Sequence, residues 1–237
     1  MTISKDLLQK LAAQNKIELD ALALERFDSY ASQLIEWNSK INLTAITDPE
    51  EILYKHFLDS LMPLKFETPP EGSSLIDVGT GAGFPGLALL IARPDLDITL
   101  VDSTAKKLKV VSDIASKLEL SPTILHARAE DIGQDPAHRE RYDYATARAV
   151  SNLRELSEYC LPLVRPGGQF LAMKGAAIKE ELADARRAIG ILGGEPEKLI
   201  AYALEEKGER HLLWVRKKRA TPKQYPRPGA KMKKQPL

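Results

Sequence analysis

Cysteine is almost missing from this 237-residue chain: Cys160 stands alone, so no intramolecular disulfide can form, and it reads as a small core residue. Histidine is scarce too, with four in all, and no two share the spacing of a zinc pair, so no metal site is expected. Aromatic residues make up 6% of the chain, and Trp37 and Phe57 read as packing residues rather than base-stacking platforms. No long apolar run occurs. The longest, Leu87 to Ala92, is far too short to span a bilayer, and the N-terminus mixes Lys5, Asp6 and Lys10 among its leucines where a signal peptide would be apolar. The expectation is a cytoplasmic protein with no membrane partner.

What is present is ordinary in amount and uneven in placement. Hydrophobic residues form 43% and charged residues 28%, as in a globular protein with a full core. The net charge of +1 hides nine Lys/Arg and no acid between residues 216 and 237, which leaves the rest of the chain net acidic. A basic tail on an acidic body is the pattern of a protein that touches a polyanion locally. A solvated tail that only aids solubility accounts for the same charges.

Residues 1–70 read as a small helical region. Leu24, Phe27, Ala31, Leu34 and Ile35 make a stripe at helical spacing, with Asp20 as its cap. The pattern breaks over residues 38–44, which hold too many Asn, Ser and Thr for a helix interior, and a helix resumes at Pro49 and runs to about Leu64. From Ser74 strands and helices alternate, as in a parallel sheet. Strands are expected at 74–78, 97–101, 123–126, 142–147 and 169–173, with Ser151 capping the helix that runs to Cys160. Residues 199–204 and 211–215, joined by a tight turn at Lys207-Gly208, predict an antiparallel pair at the sheet edge. The expected fold class is a doubly wound α/β sheet of seven strands over 71–218, followed by a basic tail over 219–237. No internal repeat is visible.

The most informative stretch is Asp77-Val78-Gly79-Thr80-Gly81-Ala82-Gly83-Phe84-Pro85-Gly86. Its glycines can turn sharply and bring bare backbone close to a ligand, and Pro85 suits the first turn of a helix. Asp102 ends the next strand, nineteen residues beyond Gly83, where an acid can accept both hydroxyls of a ribose. These features predict a nucleoside-cofactor site. Gly81-x-Gly83-x-x-Gly86 fits a dinucleotide fingerprint, which leaves a nicotinamide-dependent oxidoreductase open. A carboxylate so close to the loop would repel a pyrophosphate.

The wider pattern Asp77-x-Gly79-x-Gly81-x-Gly83 resembles the first motif of S-adenosylmethionine-dependent methyltransferases. Over essentially its whole length the chain is similar to the RsmG (GidB) family, which methylates N7 of a guanine in 16S ribosomal RNA of the small subunit. The resemblance rests on Trp37-Asn38, Ile41-Asn42-Leu43-Thr44, His56-Phe57-x-Asp59-Ser60, the glycine loop through Phe84-Pro85-Gly86, Ala129-Glu130, Arg148-Ala149-Val150, Lys174-Gly175 and Thr221-Pro222-x-x-Tyr225-Pro226-Arg227. It implies a class I, Rossmann-like fold with S-adenosyl-L-methionine as cofactor. Asp77, Gly79, Gly81, Gly83 and Phe84 would then serve the cofactor's amino-acid portion, and Asp102 and Ser103 its ribose. Ala129 and Glu130 would lie beside the adenine, and Arg148 would border both cofactor and target base. Glu130 has a second, weaker reading as a first-turn acid of the following helix.

Guanine N7 carries an unprotonated lone pair, so methyl transfer needs no general base. Arg148 and Lys174 are the candidates for gripping the base or a nearby phosphate. His56 with Asp59 could help hold RNA or act structurally; His126, His138 and His211 read as strand or loop residues. Expected RNA contacts are Asn38, Lys40 and Asn42 in the broken segment and Arg219, Lys223 and Arg227 in the tail, reading shape and phosphate rather than sequence. On that view the tail could be removed without loss of cofactor affinity. The protein is expected to act as a monomer; a non-catalytic RNA-binding module with a vestigial loop remains the other alternative.

Overall fold

A computed structural model describes residues 2–204 and 208–237. The strands β1 (Ser74–Val78), β2 (Asp97–Asp102), β3 (Thr123–His126), β4 (Tyr142–Arg148), β5 (Val164–Lys174), β6 (Gly194–Ala203) and β7 (Glu209–Lys217) form one sheet in the order β3-β2-β1-β4-β5-β7-β6. β1 to β5 pair in parallel, and β7 runs antiparallel to both β5 and β6. The expected edge pair is therefore present, with β6 outermost; Lys207 of its turn lies outside the described residues. His211, expected on an edge strand, is flanked on both sides within β7 and is buried.

Alternation along the strands splits the core into two faces. Leu75, Ile98, Leu100, Met173 and Leu212 face one way; Ile76, Val78, Val101, Ala172 and Leu213 face the other. The second face is covered by α8 (Leu153–Cys160) and α9 (Ile178–Ile191), and Cys160 is fully buried there. Asn152, not Ser151, caps α8: its side chain accepts from the Glu155 N–H at 3.1 Å, while the Ser151 hydroxyl bonds the Asn152 carbonyl.

The first face is covered by α5 (Gly86–Ala92), α6 (Ala105–Lys117) and the N-terminal helices α1 (Lys5–Gln14) and α2 (Ala21–Asn38). Asp20 caps α2 as expected, accepting from the Ala23 N–H at 2.7 Å. The helix expected from Pro49 is made of three pieces: α3 (Pro49–Ile52), a π-helical turn (Leu53–Leu58) and α4 (Asp59–Phe66). Such turns widen a helix by one residue and re-aim its side chains. Here it brings Phe57 into contact with Phe27 and Tyr30 and turns His56 toward the sheet's end. Phe27, Tyr30, Leu34 and Phe57 belong to the same apolar cluster as Leu87 and Leu100, so the helical region shares the sheet's core.

The basic tail is not a solvated extension. Thr221, Tyr225 and Met232 are buried, and the chain ends in a short helix, α10 (Gly229–Lys234). The tail is anchored by partners far away in sequence. Arg139, next to α7 (Ala129–Ile132), donates to the carbonyls of Thr221 and Tyr225 at 2.8 and 2.6 Å. Lys217 is fully buried, donating to the Leu161 carbonyl and the Thr221 hydroxyl, both at 2.5 Å, and its ammonium pKa is lowered to about 8 by burial. Among the described residues no helix is long and apolar enough to cross a membrane.

Candidate active site at the sheet switch point

The strand order reverses at β1, which has β2 on one side and β4 on the other. Connections leave in opposite directions there, and a crevice opens past the carboxyl ends of the strands. It measures about 780 Å³. Gly79, Gly81 and Phe84 line it from the loop after β1, Asp102 and Ser103 from the end of β2, Ala129 and Glu130 from beyond β3, and Arg148 from the end of β4.

The loop is held from within. The N–H groups of Gly79 and Thr80 donate to the Val101 carbonyl, those of Gly83 and Phe84 to the Thr80 carbonyl, that of Gly81 to Asp102 Oδ2 at 3.0 Å, and that of Gly86 to Asp77 Oδ2 at 2.9 Å. Gly83 has a φ of +102°, and a Cβ there would sit 2.5 Å from the Tyr30 hydroxyl, which itself donates to the Ala82 carbonyl at 2.6 Å. Over Gly81, by contrast, a Cβ would meet nothing nearer than 3.9 Å, so the loop's backbone is open to the crevice at that point. Pro85 precedes α5 as its cap residue.

Two acids flank the loop in different roles. Asp102 receives the Gly81 and Thr104 N–H groups on separate oxygens, which leaves each oxygen able to accept again from a ligand hydroxyl. Asp77 is fully buried and does not line the crevice. It accepts from the Thr80 hydroxyl at 2.7 Å and from Gly86, and its Oδ1 has no partner among the described residues. Burial raises its pKa to about 6 against the pull of those hydrogen bonds. Its placement is that of a loop and helix anchor.

On the opposite wall a buried polar group meets an aromatic stack. Phe84 stacks on Tyr30 at 5.1 Å and on His56 at 4.5 Å between ring centroids. The Arg148 guanidinium lies 5.1 Å from the Phe84 ring centre. Nη1 of Arg148 bonds Asp59 Oδ2 at 2.9 Å and the Lys55 carbonyl at 3.1 Å, and the Tyr202 hydroxyl donates to Asp59 Oδ1 at 2.7 Å. His56 is bonded through Nε2 to the Thr44 hydroxyl at 2.9 Å, and burial, then the neighbouring Arg148 charge, lowers its pKa to about 3. The imidazole is therefore neutral at physiological pH.

Several expected site residues are used elsewhere. Lys174 bonds the Ser151 carbonyl and Glu181, both at 2.7 Å, and is absent from the crevice lining. Gly83 faces Tyr30 instead of the crevice. The Asn38 side chain accepts from the N–H groups of Leu43 and Thr44, closing the turn after α2. Lys40 pairs with Glu36 at 2.7 Å, and Arg219 bonds the Gly190 carbonyl at 2.6 Å. Arg227 is clamped on Glu158, whereas Asn42 and Lys223 are exposed. Thr44, His56, Lys107, Arg128, Tyr159, Gly229 and Lys233 also line the crevice, and sequence spacing does not reveal them as cofactor neighbours. Among the described residues no three His, Cys, Asp or Glu side chains cluster as metal ligands.

A doubly wound sheet of this order, with a glycine loop and a strand-end acid at its switch point, defines the Rossmann-like methyltransferase fold. Solved structures agree at the level of the fold alone. TrmN from Thermus thermophilus is 18% identical with a TM-score of 0.53, over 70% of this chain and 53% of that one. The [4+2]-cyclase SpnF is 14% identical with a TM-score of 0.57, over 85% of this chain and 98% of that one. Sequence comparison is narrower. The model of the GidB family, rRNA small subunit methyltransferase G, matches residues 23–213. Ribosomal RNA small subunit methyltransferase G of Clostridium novyi (strain NT) is 43% identical over 98% of this chain and 96% of that protein. Its counterpart from Bacillus thuringiensis (strain Al Hakam) is 44% identical over 97% of each. The chain belongs to the GidB family of methyltransferases.

Proposed function

We propose that the crevice binds S-adenosylmethionine and that the protein methylates N7 of a guanine in 16S ribosomal RNA. The observation that carries this reading is the state of the glycine loop. Six of its backbone N–H groups, through Gly86, are already committed, two of them to carboxylates. A pyrophosphate needs free amides and a helix N-terminus, and here Asp77 occupies the start of α5. A cationic ligand is favoured instead by the Asp77 carboxylate nearby. Asp102 and Ser103 suit the ribose and Glu130 the adenine. The names of the relatives support ribosomal RNA of the small subunit as substrate.

When bound, the donor would supply an electrophilic methyl group on a sulfonium, which passes in line to the purine lone pair while the sulfur leaves as a neutral thioether. No side chain has to remove a proton. The protein's task is to bind, orient and exclude water. The Phe84 ring and the uncharged His56 ring line one wall. Arg148 presents N–H groups suited to the guanine O6, and Asp59 balances its charge, so the purine gains positive charge beside an ion pair and not beside a lone cation.

RNA contact fits a shallow groove of about 380 Å³ with Asn42, Lys106 and Lys107 in its lining, beside the turn that Asn38 closes. It shares Thr104 and Lys107 with the crevice, so a strand lying there would lead into the site. Mass mapping of small-subunit RNA from cells with and without the gene tests the function. Loss of one N7-methylguanosine is expected; an unchanged modification pattern would overturn the proposal.

A further inference from the structure

Gly229 lies tight against Glu130: a Cβ there would sit 2.6 Å from Glu130 Oε1 and 3.9 Å from the Tyr159 hydroxyl. The C-terminal segment thus comes directly against an acid that lines the crevice, and Gly229, Ala230 and Lys233 line it as well. This contact is built. Arg227 gives Glu158 three hydrogen bonds, from its backbone N–H and Nε to Oε1, both at 2.8 Å, and from Nη2 to Oε2 at 2.7 Å. Glu158 is only 1% exposed, so this pairing is what allows its charge to be buried. Gln134 donates to the Pro226 carbonyl at 2.8 Å, and the Pro226 ring packs so closely on Gly133 that a Cβ there would lie 2.7 Å away. Arg139 adds its bonds to Thr221 and Tyr225. Past these anchors Met232 is buried, which fixes the face α10 turns to the crevice. A segment kept only for its charge needs none of these contacts.

We propose that residues 221–234 are a structural wall of the nucleoside-cofactor site, closing the end where Glu130 sits, so that affinity for the adenosine part of the donor depends on them. The proposal rests on the reading of the crevice as the methyl-donor site. Calorimetric titration with S-adenosylhomocysteine and with adenosine tests it on three proteins: the wild type, a chain ending at Pro228 that keeps the Arg227 anchor, and Gly229→Ala. The added methyl of Gly229→Ala meets only the far end of the Glu130 side chain, so the fold survives while the carboxylate is displaced. Expected are a loss of about tenfold in affinity for the shortened chain and of roughly threefold for Gly229→Ala, with the melting temperature of the latter unchanged. Wild-type affinity in Gly229→Ala and in a folded shortened chain overturns the proposal, as does a shortened chain that loses RNA binding alone. A wild type that binds neither ligand overturns the donor-site reading beneath it, a distinct result.

Discussion

Arg148 and Asp59 form a buried ion pair, 2.9 Å between Nη1 and Oδ2, with side chains only 14% and 6% exposed. It joins the end of β4 to the helix after the π turn, across 89 residues of sequence. Removing one partner strands the other charge, at a cost of roughly 3–5 kcal/mol. Asp59→Ala should therefore lower stability on that scale, visible in denaturant unfolding. Arg148→Ala should reduce turnover by about tenfold or more and cofactor affinity much less. Equal losses in both would make Arg148 a cofactor-side residue.

Tyr202→Phe takes one donor from Asp59 and leaves the carboxylate and its arginine in place. A buried acceptor that loses a partner costs about 1–3 kcal/mol. Turnover should fall while cofactor affinity holds, because Tyr202 does not line the crevice. An unchanged kcat would show that Arg148 is oriented without it.

His56 titrates in the folded protein near pH 3, well below its ordinary value near 6.5. The unfolded chain thus binds the extra proton first, and stability from this residue is present above about pH 6.5 and is lost as pH falls toward 3. The difference in melting temperature between wild type and His56→Gln should shrink on acidification from pH 7 to 5. A difference that stays constant would show that the folded imidazole titrates normally.

Asp77 has the opposite sign. Its folded pKa near 6 lies above the ordinary 3.8, so its contribution is present below about pH 3.8 and lost as pH rises through 6. Thermal unfolding of Asp77→Asn against wild type should show the variant gaining relative stability between pH 4 and 6.

Gly83→Ala would drive a methyl into the Tyr30 hydroxyl at a backbone φ that side chains avoid. A loss of roughly 1–3 kcal/mol is expected, with weaker cofactor binding as the Tyr30 bond to Ala82 breaks. A protein as stable as wild type would mean that Tyr30 is free to move.

The parts of the site that can be read from the sequence are local. Asp77, the loop glycines and Asp102 lie within one strand–loop–helix–strand unit, where spacing alone dictates who meets whom. Thr44, His56, Asp59 and Tyr202 are invisible as a set because they converge only in three dimensions, and no period links them. Lys174 misleads because its chemistry suits an anion and nothing local reveals Glu181 beside it. The tail misleads for the same reason: charge can be counted, but Glu158, 69 residues before Arg227, gives no sign of being its buried partner.

The crevice draws a wall from the turn after α2, the π-helical turn, four strand ends and the closing helix. It has no portable catalytic cassette. A graft of residues 71–218 onto a different RNA reader would carry the glycine loop yet leave Arg148 without its counterion and Glu130 without its cover. Swapping modules is closed here; new specificity has to be introduced side chain by side chain within the intact chain.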